Sequence, residues 1–261
     1  MKEVMLFTPG LDSYLSDHGF SFTKHGVTRV YLDTNCRYSL NEVRILRDLY
    51  PKDYVEIIDD LDLRDIEHDD LYVPNRNLLF VSLVQGIYDA DFIWLNGVSD
   101  DRVSDNNIEF YKLASDVLTK TAGKPVTVSS SLIEYEKSQC CNLYYKAMAD
   151  NLPLLKNTFS CFDSNIALKT ENKVYSYWAS EDVFSCTKPT VAYYGCRSCT
   201  ACYRKYAALT SANIYVEFLN KQLVYDYVNK IDPAQYPNRY KSAVEYARFN
   251  KLFEEDSIYA K

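Results

Sequence analysis

Cys186, Cys196, Cys199 and Cys202 read C-x9-C-x2-C-x2-C, the strongest chemical pattern in the chain. Four thiolates close together suit tetrahedral Zn²⁺, and short C-x-x-C loops turn backbone N–H groups toward sulfur. A closed four-cysteine site keeps no open coordination position, so its expected role is structural. A second candidate lies near the start, where Thr8-Pro9-Gly10-Leu11-Asp12-Ser13 follows an apolar run. A strand–turn–helix junction of this kind aims backbone N–H groups at an anion such as phosphate. Ser13 adds a hydroxyl, and Asp12 either orients the loop or holds Mg²⁺. Gly, Asp and Ser occur at many such junctions, so the motif alone leaves a purely structural turn open. Cys36, Cys140, Cys141 and Cys161 are scattered and read as small buried apolar side chains.

These groups need a frame. Apolar runs at 4–7, 27–32, 54–58, 92–95 and 125–128 read as buried strands bounded by turn residues. Helical patterns fall between them at 39–49, with Ser39 as a candidate cap, at 77–88, and after Asp105, a second candidate cap. In that last helix Ile108, Tyr111, Ala114 and Leu118 recur on one face, and a further helix covers roughly 135–150. Alternating strands and helices, each strand fully apolar, predict an α/β fold with a parallel sheet covered by helices on both faces. Ligands bind beyond the carboxyl ends of such strands. Residues 8–13, 33–38 and 96–101 all lie there, so three polar clusters distant in sequence can converge. After residue 157 the character changes, which divides the chain into 1–157 and 158–261. The later part reads as a hairpin over 167–178 turning at Glu171-Asn172, the cysteine cluster, and helices from about 200 onward, broken near Pro233 and Pro237.

The 261 residues carry 29 Lys+Arg against 36 Asp+Glu, a net charge of −7. That balance argues against broad binding to a nucleic-acid backbone, which relies on a basic surface. No apolar run is long enough to span a bilayer and residues 1–11 lack the layout of a signal peptide, so no membrane partner and a cytoplasmic location are expected. The 24 tyrosines are expected to replace Phe in core and half-buried positions. His18, His25 and His68 fall in predicted loops or surface helices and read as solvated rather than catalytic.

The segment from Thr8 to Ser13 resembles the pyrophosphate-binding loop of the PP-loop ATP pyrophosphatase superfamily, S/T-G-G-x-D-S, with Pro9 where that pattern has its first Gly. Proline removes one N–H that would face phosphate. Tyr31-Leu32-Asp33-Thr34-Asn35-Cys36-Arg37-Tyr38, with Glu42 nearby, is similar to a strand ending in D-Y-G-Q-R-H. Val73-Pro74-Asn75-Arg76-Asn77-Leu78-Leu79-Phe80 is close to V-P-G-R-N-L-L-F, the most specific signature of the 7-cyano-7-deazaguanine synthase family. Asn96-Gly97-Val98-Ser99-Asp100-Asp101 resembles that family's G-V-N-x-x-D, and residues 132–137 match its lysine segment loosely. Where the family continues Y-P-D-C-R, this chain has Val103-Ser104-Asp105-Asn106-Asn107, keeping only the aspartate. The family ends in S-C-Y…C-G-x-C-x-x-C; here Arg197 stands for the Gly and Gly195 precedes the cysteine. Both Cys161 and Cys186 fit the S-C-Y position, and spacing favours Cys186.

The resemblance implies ATP, Mg²⁺ and Zn²⁺ as cofactors. It places the nucleotide at Thr8, Pro9, Gly10, Leu11, Asp12, Ser13, Asp33 and Arg37, and the substrate at Arg76, Asn77, Asn96, Gly97, Asp101 and Asp105. Catalysis falls to Asp12, Ser13, Arg76, Asp101 and Lys137. The implied reaction adenylates the carboxylate of 7-carboxy-7-deazaguanine, forms an amide with ammonia, and dehydrates that amide to the nitrile with a second ATP. Pro9 and the altered loop at Asp105 keep two alternatives open. One is a diverged deazapurine-carboxylate amide ligase serving nucleic-acid modification or defence; the other is an inactive binding protein that holds a partner with its Tyr-rich C-terminal helices. The ammonia source and the oligomeric state stay open, a homodimer being one option.

Overall fold

The computed structural model describes residues 1–20, 26–101, 103–147, 158–161, 170–171, 192–193 and 195–252. Strands β1 (Glu3–Leu6), β2 (Val27–Leu32), β3 (Glu56–Ile58), β4 (Phe92–Trp94) and β5 (Thr127–Ser129) form one sheet in the order β3-β2-β1-β4-β5. Every neighbouring pair is parallel. β1 takes the centre because both of its faces are apolar. Val4 and Leu6 join one cluster with Val81, Val84 and Ala114, while Met5 joins another with Val43 and Leu46. This two-sided burial is what a parallel sheet between helical layers demands. The order reverses between β1 and β4, and the carboxyl ends of these two strands border a crevice there.

The layers are α2 (Ser39–Leu49), α3 (Arg76–Tyr88) and α4 (Ile108–Ala122), with a short α1 (Leu11–Leu15) that runs into a π-helical turn at Ser16–Phe20, and α5 (Lys137–Ala147). Two expected caps are corrected. Ser39 is the first helical residue rather than the cap, and its hydroxyl donates to the Cys36 carbonyl at 2.9 Å. Asn107, not Asp105, caps α4 by accepting the Phe110 N–H at 2.9 Å; the Asp105 carboxylate is engaged by the Asn77 N–H instead.

The pairing of β6 (Thr170–Glu171) with β7 (Ala192–Tyr193) is antiparallel, so Glu171 lies in a strand and not in the expected turn at Glu171-Asn172. The rest of 167–178 lies outside the described residues. Among the described residues three α-helices follow, α6 (Thr200–Leu209), α7 (Lys221–Lys230) and α8 (Pro237–Phe249). They pack with α1 and α5 around one apolar cluster that joins residues from before and after position 157, among them Leu15, Tyr144, Tyr203, Phe218 and Tyr246. Part of the tyrosine set behaves as core: Tyr14, Tyr144, Tyr203 and Tyr246 are buried, whereas Tyr72, Tyr215 and Tyr225 are exposed. A phenol in a core needs a partner for its hydroxyl. Tyr14 and Tyr144 hydrogen-bond each other at 3.0 Å, and Tyr246 donates to the Val216 carbonyl at 2.8 Å, while the buried Tyr203 hydroxyl has no partner among the described residues. Pro237 opens α8, where no N–H is missed. The Glu136 carboxylate then accepts the N–H groups of Asn238 and Arg239 at 3.2 and 2.7 Å. Among the described residues no helix is long and apolar enough to cross a membrane.

Candidate functional site

The loop after β1 closes on itself. Ser13 Oγ accepts the Thr8 N–H at 3.0 Å, and Thr8 Oγ1 accepts the Gly10 N–H at 3.2 Å. Asn96 stands just after β4 with φ of 62°, a left-handed conformation that asparagine tolerates. That turn aims its side-chain amide across to β1, where it donates to the Leu6 carbonyl at 2.8 Å and to Ser13 Oγ at 3.4 Å. The ends of β1 and β4 are thereby joined at the crevice.

A cleft of about 310 Å³ opens here, and Thr8, Gly10, Asp12, Ser13, Arg76, Asn77 and Asn96 all line it. Three sequence-distant clusters therefore do converge. Arg76 begins α3 and donates to the Tyr38 hydroxyl at 2.6 Å. Asn77 is braced by Asp105, which accepts its N–H at 3.4 Å and, through its carbonyl, its side-chain amide at 2.8 Å. Asp105 thus positions a wall residue and is not itself part of the wall. Glu42, on the first turn of α2, also faces the cleft and accepts from the Tyr31 hydroxyl at 2.8 Å. Burial raises its carboxyl to about 7 against the opposing pull of Tyr31 and Arg76.

Next to the loop, Lys137 Nζ lies 2.7 Å from Asp12 Oδ2, and Arg204 pairs with Asp101. Asp101 also accepts from the Asn106 amide at 3.0 Å. Burial pushes the Asp101 carboxyl up, but Arg204 and Lys137 together reverse this and hold it below the ordinary range. Burial works against a charged Lys137, yet Asp12 and Asp101 outweigh it, so the ammonium is kept. Asp12 Oδ1 and Asn96 Oδ1 are buried with no hydrogen-bond partner among the described residues. A buried carboxylate oxygen without a partner is costly unless a ligand completes it.

Other expected residues lie elsewhere. Leu11 is in the core, and Gly97 packs so tightly that an added methyl would lie 2.2 Å from the Tyr111 hydroxyl. Asp33 accepts the Asn35 N–H at 3.0 Å, and Arg37 pairs with Glu67 at 3.1 Å. Neither lines the cleft; Thr34 and Tyr38 from the same segment do. His18 is half-buried and stacked on Tyr14 at 4.3 Å, not solvated, while His25 lies outside the described residues. Sequence reasoning missed Arg204, Ser160 and Asn106. Arg204 had one local signal, its place two residues after Cys202.

The thiol cluster adjoins this cleft. Sulfur atoms of Cys161, Cys196, Cys199 and Cys202 all lie within 4.8 Å of one another. Of the two candidates for the first ligand, Cys161 joins the group although spacing favoured Cys186; the segment 158–161 packs against the loop at Pro9, where the Phe159 N–H donates to the Pro9 carbonyl at 2.7 Å. Cys186 lies outside the described residues. Cys161 Sγ accepts the Cys196 N–H at 3.3 Å, and Cys196 Sγ accepts those of Ser198 and Cys199 at 3.4 and 3.2 Å. Tetrahedral zinc with sulfur at ~2.3 Å spaces the sulfurs about 3.8 Å apart, so the four thiols fit the ion after a small contraction. Gly195 makes room, since a methyl there would lie 2.4 Å from Cys202 Sγ. Arg197 adopts φ of 56° in the same knuckle.

The family model described as queuosine biosynthesis protein QueC matches residues 24–213. No curated protein matches the chain.

Proposed function

The chain belongs to the QueC family of queuosine biosynthesis proteins, and on that premise we propose that it converts 7-carboxy-7-deazaguanine and ammonia to 7-cyano-7-deazaguanine at the expense of ATP. The observation that carries this reading is the single cleft shared by the loop from Thr8 to Ser13, Arg76, Asn77 and Asn96. A carboxylate oxygen of the substrate attacks the α-phosphorus of ATP, and the pyrophosphate bond breaks with its electron pair. Ammonia then attacks the acyl carbon, AMP leaves, and nitrogen loses a proton. In a second round the amide oxygen takes AMP from another ATP, and loss of that AMP with two N–H protons leaves the nitrile.

Such chemistry needs positioned charge more than a covalent nucleophile. Lys137, held as an ammonium beside Asp12, is placed to offset charge gathering on the leaving pyrophosphate. Arg204 and Asp101 form a second ion pair whose charges act on Lys137 and Asp12 through space. Mg²⁺ supplies further neutralisation of phosphate oxygens when bound, and Asp12 Oδ1 is the buried, unpartnered hard oxygen suited to hold it. Arg76 and Asn77 would orient the deazapurine. Zinc at Cys161, Cys196, Cys199 and Cys202 is structural, because four thiolates leave no open position.

Asn106 favours a second reading. It lines the cleft from the loop that departs most from the family pattern, and the second reading is an amide ligase that stops before dehydration or uses another amine. Mass spectrometry of products from 7-carboxy-7-deazaguanine, ATP, Mg²⁺ and ammonium separates the two. The nitrile is the expected product, and an amide that accumulates as end product assigns the second reading. If no AMP forms, both fail and a binding role takes their place.

A further inference from the structure

A loop that grips phosphate does so mainly through outward-facing N–H groups, and here three successive positions offer none. The Thr8 N–H is engaged by Ser13 Oγ at 3.0 Å and the Gly10 N–H by Thr8 Oγ1 at 3.2 Å. Pro9 has no N–H at all. Across from these positions runs the segment 158–161. Its Phe159 N–H donates to the Pro9 carbonyl at 2.7 Å, which ties the segment to the loop at the residue that lacks a donor. Cys161 holds the other end within the thiol cluster, and Lys205 donates to the Thr158 carbonyl. Ser160 sits between these anchors and lines the cleft. Its hydroxyl is 3.6 Å from where a methyl on Gly10 would be, and it makes no hydrogen bond among the described residues. Phe159 and Ala201, beside it on that wall, have no side-chain donor.

We propose that the Ser160 hydroxyl is a phosphate-binding group of this cleft, supplying to a nucleoside triphosphate the donor that Pro9 cannot. The assignment rests on the ATP-dependent reading above. Ser160 is placed by two fixed neighbours, so its donor is preorganised, as a phosphate site requires.

Calorimetric titration of the zinc-loaded protein with MgATP tests it. Ser160→Ala is expected to weaken binding roughly tenfold or more, the loss of one hydrogen bond to a charged group, with zinc stoichiometry and unfolding midpoint unchanged. Ser160→Thr, which keeps the hydroxyl, is expected to retain most of the affinity. Pro9→Gly restores a backbone N–H, and in that background Ser160→Ala is expected to cost much less. Unchanged MgATP affinity in Ser160→Ala overturns the assignment, as does an equal loss with Pro9 and with Gly at position 9. A parent protein that binds no MgATP instead overturns the ATP-dependent reading on which the assignment rests.

Discussion

At the scale of single residues the cleft concentrates charge that folding alone does not favour. Lys137 balances Asp12 at 2.7 Å in a buried setting. Lys137→Met removes the ammonium while keeping the volume, and AMP formation is expected to fall by at least ~100-fold, the scale of losing one preorganised charge at a reacting phosphate. Zinc content should stay whole; AMP release at parental rate would remove Lys137 from the machinery. Glu42 makes a different prediction. Its carboxyl is raised by burial to about 7, so the fold favours the protonated form. The stability tied to it is fully present below the unfolded carboxyl's ordinary range and is lost as pH rises through about 7. Glu42→Gln is insensitive to this loss. Its stability relative to the parent should therefore rise between pH 5 and pH 8, by up to about 3 kcal/mol at ~1.4 kcal/mol per pK unit. Urea unfolding at both pH values measures the difference, and the same gap at both sinks the idea. Arg197 holds a left-handed φ of 56° that a side chain resists. Arg197→Gly should raise stability by about 1 kcal/mol and leave zinc bound, as metal analysis and urea unfolding would report.

Elements show which contacts carry information along the chain and which do not. Glu136 precedes α5 yet caps α8, a hundred residues later, through the N–H groups of Asn238 and Arg239. Glu136→Ala leaves those donors without their carboxylate and should cost about 1–2 kcal/mol in urea unfolding, with the slope of the transition unchanged. No sequence pattern announces such a cap, because its donor and acceptor belong to distant segments. The central strands were legible for the opposite reason: β1, β2 and β4 lie in short apolar runs closed by turn residues, and burial on both faces needs only local composition, whereas edge strand β3 has no buried residue. Asp105 and Asn107 were equally able to cap α4, and only the Asn77 N–H, brought near by α3, decides between them. The loop from Thr8 to Ser13 was readable as a candidate because it is contiguous. Arg204 and Ser160 were not, since tertiary packing of the last third delivers Ser160 to the cleft and Arg204 to Asp101. Cys161 was passed over for Cys186 because counting along a chain does not report nearness in space.

For the whole molecule, the thiol cluster and the cleft share a wall: Cys161 and Ala201 border the cleft, and the Phe159 N–H donates to the Pro9 carbonyl. Removing zinc with a chelator should therefore lower the unfolding midpoint and weaken MgATP binding together, since metal affinity at a four-thiolate site is folding free energy. Full nucleotide affinity in metal-free protein would separate the two. A metal at that group would have one more consequence. Cys161 and Cys196 belong to the same thiol group, so the chain leaves it and returns to it, and the interval 162–195 becomes a loop with both ends pinned. The entropy of closing a loop grows only with the logarithm of its length. On closure entropy alone, the number of residues between those two ligands matters little, so it is the shared metal and not the length of the chain that would hold the cleft wall in place.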